Sequence, residues 1–179
     1  MYRRSYYTKR GGKYSNETMC FNAQVTSNVD GGVPFSEDPI VLVPATNVMG
    51  NRKVKNFTVK VTANFNDDVI IGVLAYVPEG TTMSKPLVSG DIQSLYEPNQ
   101  NVIATFVIPP NCVRSPNGDL TSASAPTQIV VSNRLARNLN TGDTICLCLI
   151  SPNGLTAGDG SGTAPPCTIC GTVNYAIKY

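Results

Sequence analysis

Six cysteines give this chain its widest choice of chemistry. Four of them fall in two close pairs, Cys146-Leu147-Cys148 and Cys167-Thr168-Ile169-Cys170. Four thiolates would satisfy a tetrahedral zinc ion, and the second pair has the spacing of a zinc knuckle. The first pair does not, because residues two apart on a strand point the same way and do not curl around a metal. Cys146 and Cys148 also lie in an apolar run, where cysteine is an ordinary buried residue. Buried structural thiols are therefore the leading reading, ahead of zinc and of disulfides, and a reducing compartment would keep them as thiols. No metal and no cofactor is expected.

The other reactive types narrow the field by absence. The chain has no histidine. That removes Ser-His-Asp and Cys-His nucleophiles, and with them the metal-binding histidines of a cupin-type enzyme. Asp67-Asp68 and Glu37-Asp38 are paired carboxylates, but both sit at turn positions, where aspartate is ordinary. The glycine-rich run at residues 158–162 has no helix-forming sequence after it and so is no phosphate loop. Asn16-Glu17-Thr18 and Asn56-Phe57-Thr58 match the glycosylation pattern, but no secretory segment is recognisable and both read as chance. No catalytic residue is expected, and the chain reads as a non-enzyme.

What remains is contact with a polyanion. Residues 1–13 carry Arg3, Arg4, Lys9, Arg10 and Lys13 with no acid, inside a net charge of +2. The other nine basic and twelve acidic side chains leave the rest at −3. Tyr2, Tyr6, Tyr7 and Tyr14 interleave with the basic residues. Arginine and lysine neutralise phosphates, and tyrosine rings stack on unpaired bases. Gly11-Gly12 supplies a flexible joint. Residues 1–14 are thus expected to be a nucleic-acid-binding arm and 15–179 a folded domain, the bland alternative being a solvated terminus. A second basic set, Lys53, Lys55 and Lys60, shares one face of an alternating stretch with Thr58 and Thr62. Such a face is either simply solvated or turned toward nucleic acid.

The elements that would position these groups centre on residues 67–103. Val69 to Val77 is uncharged through Pro78, too short for a membrane span and right for a strand buried on both faces. Pro78 stops it, having no N–H for a ladder. Gly72 within it is expected to mark the close approach of another backbone. Arg52 to Phe65 alternates, with Val54, then Phe57, Val59, Val61, Ala63 and Phe65 inward. The step from Val54 to Phe57 breaks the period of two and predicts a bulge near Asn56. Further strands are expected at Met19 to Ser27 (Cys20, Ala23 and Val25 among polar residues), Pro39 to Val43, Asn101 to Ile108, Thr127 to Asn133, Thr144 to Ile150 and Thr172 to Lys178. Residues 79–100, 109–126 and 151–168 read as long loops, with Asn153 and Ser161 replaceable in the last, and Arg134 to Asn140 as a connection. Eight strands with no convincing helix predict an all-β, eight-stranded antiparallel jelly roll of two four-stranded sheets. No apolar run is long enough for membrane insertion.

Residues 74–81, LAYVPEGT, followed by 95–103, LYEPNQNVI, resemble the capsid proteins of small circular Rep-encoding single-stranded DNA viruses. Arg52-Lys53-Val54-Lys55 is similar to the basic strand start of circovirus-like capsids, and the basic, tyrosine-bearing N-terminus fits. The resemblance covers most of the chain, and its motifs are structural rather than catalytic. It implies a jelly-roll subunit that self-assembles into a T=1 icosahedral shell of sixty copies and packages circular single-stranded DNA. The residues it assigns to the DNA are Arg3, Arg4, Tyr6, Tyr7, Lys9, Arg10, Lys13, Lys53, Lys55 and Lys60. It further implies a virion protein assembled in the host nucleus and a host-surface receptor of unknown identity. The alternative is a soluble jelly-roll binding module, a lectin or adhesin using its long loops.

Overall fold

Alternating β-branched and polar residues become twelve strands in the computed structural model, which describes residues 14–25, 35–36, 38–47, 50–81, 101–115, 119–155 and 165–178. In chain order they are β1 (Ser15–Val25), β2 (Phe35–Ser36), β3 (Ile40–Val43), β4 (Arg52–Asn64), β5 (Ile70–Val77) and β6 (Val102–Ile108). There follow β7 (Cys112–Arg114), β8 (Leu120–Ala123), β9 (Thr127–Asn133), β10 (Arg137–Leu139), β11 (Thr144–Ser151) and β12 (Cys167–Lys178). All eight expected strands are present. The four others are short. β7 and β8 form a ribbon inside what reads as the 109–126 loop, and β10 lies in the expected connection after Arg134.

The first sheet runs β1-β12-β4, with β9 and β10 sharing the far edge of β4. The second has β2 and β3 sharing one edge of β11, followed by β5 and β6. Every pairing is antiparallel. Counting only the eight long strands in chain order, the sheets read 1-8-3-6 and 2-7-4-5, the interleaving of a jelly roll. Among the described residues no helix is long and apolar enough to cross a membrane.

The core lies between the sheets. Val54, Phe57, Val59, Val61 and Ala63 of β4 belong to one cluster with Leu42, Ile70, Leu74, Ile145, Leu147 and Leu149 of the second sheet. The Tyr175 hydroxyl crosses the sandwich to donate to the Leu42 carbonyl at 3.1 Å, and its ring packs on Phe57 at 5.9 Å. The predicted bulge is there. The β4–β12 register shifts beside Tyr175, and Asn56 takes φ +57°, a left-handed conformation that asparagine tolerates. Phe65 does not join the inward row. It stands past the strand end at φ +58° and is half-buried.

β5 is buried on both faces, as its sequence requires. Ile70 and Leu74 enter the main core, and Val73 and Ala75 join Cys148 and Ile150 in a second cluster on the other side. What crowds Gly72 is not a backbone, as expected, but the Phe106 ring of its cross-strand partner. Gly171 repeats the device, with Phe21 opposite, and there the Lys60 carbonyl also presses in. In β1 the inward residues are Met19, Phe21 and Ala23. Cys20 is exposed, because its register partner Thr172 faces outward.

Polar clasps tie the strand ends. Asn111 N donates to the Asn66 carbonyl at 2.8 Å, and Asn66 N donates back to Asn111 Oδ1 at 3.1 Å, which fixes the β4–β5 turn to the start of β7. Asp68 accepts from Ser151 Oγ at 2.6 Å and from Asn153 N and Nδ2 at 3.1 and 3.2 Å. Asn153 is therefore part of a clasp and not an idle loop residue. At the opposite end of β5, buried Asp143 accepts from the Tyr76 hydroxyl at 2.8 Å, from Asn140 N at 2.6 Å and from Glu79 N at 3.1 Å.

None of the six cysteines is joined in a disulfide, and the strands disperse the four that zinc would need. Cys146 and Cys148 point to the outer side of the second sheet, sharing rows with Ala75 and Val73. β12 begins at Cys167, so Cys167 and Cys170 lie on a strand rather than in a knuckle turn. Three positions apart, they take opposite faces, Cys167 buried and Cys170 exposed. Among the described residues no cluster of three such ligands is placed to hold a metal. Burial pushes the Cys112 and Cys146 thiols above their usual range, and burial, followed by the nearby Asp67 charge, pushes Cys167 up to about 12.

Candidate nucleic-acid interface

Because β4 alternates, its inward apolar row dictates an outward one, and Lys53, Lys55, Thr58, Lys60 and Thr62 occupy it. Register fixes their neighbours. On β12 they face Lys178, Ala176, Asn174, Thr172 and Cys170. On β9, Ser132, Val130 and Gln128 stand opposite Thr58, Lys60 and Thr62. β1 extends the face with Thr18, Cys20 and Asn22. The result is a broad surface of hydroxyls and amides carrying four lysines, with no carboxylate at any of these outward positions.

Lys53 and Lys178 are direct register partners. Like charges directly opposite one another on a sheet repel, and Lys55 is the next outward residue along the same strand. An anion laid across the three ammonium groups would relieve that repulsion. The Lys55 ammonium stands 4.0 Å from the centroid of the Tyr14 ring, a cation–π contact. Tyr14, the first described residue, therefore lies at the lysine face.

Arg52, the first residue of the basic strand start, turns the other way. It is buried, and its guanidinium donates to the Pro44 carbonyl at 2.7 Å and the Asp143 carbonyl at 2.9 Å. It is a structural tie between β3, β4 and the turn before β11. Lys53, Lys55 and Lys60 do share one face. Arg3, Arg4, Tyr6, Tyr7, Lys9, Arg10 and Lys13 lie outside the described residues.

A concavity of about 530 Å³ opens on this face, lined by Asn56, Phe57, Thr58, Ser132, Asn133 and Arg134. It sits where β9 leaves β4 at the bulge, between Lys55 and Lys60. The Thr58 and Ser132 hydroxyls are hydrogen-bonded to each other at 3.2 Å. Asn133 is pinned at both ends, Nδ2 donating to the Ile103 carbonyl and Oδ1 accepting from Leu135 N. Sequence reasoning missed Lys178, Ser132 and Arg134 as members of this surface. Lys178 was legible as an outward position of the last strand. Ser132 and Arg134 needed the β4–β9 pairing.

No protein-family model matches the chain, and no curated protein matches it. Solved structures do. The Eiger TNF of S. frugiperda aligns at TM-score 0.36 and 14% identity, over 89% of this chain and 93% of that one. A chain of the Kashmir bee virus empty particle at acidic pH aligns at 0.36 and 10%, over 97% and 75%. A chain of the infectious bursal disease virus Gt strain aligns at 0.32 and 12%, over 94% of this chain but 33% of that one. Scores and identities this low carry no function across.

Proposed function

We propose that this chain is a viral capsid subunit whose first sheet turns its lysine face toward packaged nucleic acid. One observation carries the reading. The mutually repelling Lys53 and Lys178 cluster with Lys55, which holds Tyr14, the residue that follows the basic segment in sequence. Lys53 and Lys55 on one strand and Lys178 on another, far apart in sequence, thereby form one surface, and phosphates are the anions that such a surface suits. Self-assembly into a T=1 shell of sixty copies around circular single-stranded DNA, in a virion put together in the host nucleus, is the fuller form of the proposal. The support for that form is the resemblance of residues 74–81 and 95–103. Sixty copies of the segment would bring on the order of three hundred positive charges to the interior, turning weak single contacts into collective, salt-sensitive binding.

Sizing of the purified full chain by light scattering, with absorbance at 260 and 280 nm, tests this. A megadalton particle holding nucleic acid is expected, with content falling when residues 1–13 are removed or when Lys53, Lys55 and Lys60 become glutamine. A stable monomer or trimer under all conditions would instead favour a jelly-roll binding module.

A further inference from the structure

We propose that the groove at the β4 bulge seats a single nucleotide of an unpaired strand, resting on the reading of the lysine face as a nucleic-acid surface. Its position is the first reason. It interrupts the lysine row, with Lys55 on one side and Lys60 on the other. At about 3.3 Å per residue these lysines are on the order of 15 Å apart. A strand that follows the row has its charges met at either end and a recess between.

The lining chemistry is the second reason. It contains no carboxylate. Thr58 and Ser132 share one hydrogen bond, which leaves one hydroxyl proton and several lone pairs for a ligand. The Asn56 amide adds a donor and an acceptor, the combination that reads the edge of a base. Exposed Arg134 adds a planar guanidinium, able to fork onto phosphate or stack on a ring. Val130, 57% exposed and two residues from Ser132 on the same face, gives a base apolar contact.

Rigidity is the third. The bulge fixes Asn56, the sheet register fixes Thr58 and Ser132, and the two hydrogen bonds of Asn133 hold the root of Arg134. A seat formed before binding loses little to ordering.

The test is fluorescence anisotropy of labelled oligo(dT) with the full-length chain. Ser132→Tyr fills the groove without changing charge. Gln128→Tyr places the same ring on the same strand and face outside it. Aromatic residues suit exposed strand positions, and equal denaturation midpoints keep the comparison one of binding. Ser132→Tyr should weaken binding about tenfold with an unchanged salt slope, while Gln128→Tyr stays within about twofold. Arg134→Ala should weaken it also. If both tyrosine variants bind alike while Lys53→Gln with Lys60→Gln still lowers affinity, the groove is wrong and the lysine face stands. If neither set changes binding, both fall. Inorganic phosphate competing as well as thymidine monophosphate would reduce the groove to an anion site and overturn the nucleotide seat.

Discussion

The ring of Phe106 occupies the space that a side chain on Gly72 would need. A Cβ added at Gly72 would stand 2.1 Å from the ring tip, and the two residues face each other across β5 and β6. Gly72→Ala should therefore destabilise the fold by about 1–3 kcal/mol through overpacking. Phe106→Leu in the same chain should recover part of that loss. A double-mutant cycle of urea midpoints measures the coupling, and additive effects would show that the ring does not depend on the glycine.

The Asp68 carboxyl reports on the clasp between the β4–β5 turn and the end of β11. Burial works against its ionisation, yet the hydrogen bonds from Ser151, Val69 and Asn153 outweigh burial and hold its pKa below the usual value. A depressed carboxyl contributes stability above the unfolded pKa, and that contribution is lost as pH falls through the folded one. Urea midpoints of the native chain should drop more steeply below about pH 4 than those of Asp68→Asn. Parallel curves would mean that the clasp carries no linkage.

Tyr76 gives the opposite pH dependence. Burial, and then its hydrogen bond to Asp143, push its pKa up to about 12, against a partial offset from Arg137. The neutral phenol is the form the fold favours. Its contribution is complete below pH 10 and disappears as pH rises from 10 towards 12. Tyr76→Phe should lose about 1–2 kcal/mol at neutral pH, since Asp143 forfeits one of its donors. The variant should also show a shallower alkaline decline in thermal midpoint than the native chain.

Thiol labelling should divide the cysteines by layer. Cys20 and Cys170 are exposed on the lysine face, whereas Cys112, Cys146, Cys148 and Cys167 are buried. Reactivity follows the accessible thiolate, and burial raises the pKa of Cys112, Cys146 and Cys167. A disulfide reagent at pH 8 should modify two thiols quickly, and the other four only on denaturation. Cys148→Ala should cost on the order of 1 kcal/mol, the removal of a small buried group.

The strands were legible because each carries its own signal. Alternation marks β4, an uncharged run marks β5, and one broken step in the period gave the bulge at Asn56. What alternation does not carry is the identity of a partner. Gly72 announced a close approach but could not name Phe106, which lies on another strand. Arg52 begins a basic run, yet its parity with Val54 sends it inward, where two carbonyls receive it. Asn153 sits among glycines and looks dispensable until Asp68, 85 residues earlier, is brought beside it. The lysine face was half legible. Its β4 members follow from parity, but Lys178 and Ser132 join only through register.

β1 and β12 lie side by side although Thr18 and Asn174, hydrogen-bonded across them, are 156 residues apart. During synthesis β1 leaves the ribosome long before β12, the only partner that the described residues give it. β4 waits as well, since β12 is its neighbour on that side. The first sheet therefore closes only once β12 has been made, by a long-range search of the kind that makes β topologies slow to fold. Throughout that interval two strand edges stand open to other nascent chains. Yield in a heterologous host should depend more on growth temperature and synthesis rate than on any surface residue, and a chain cut short of β12 should accumulate as aggregate.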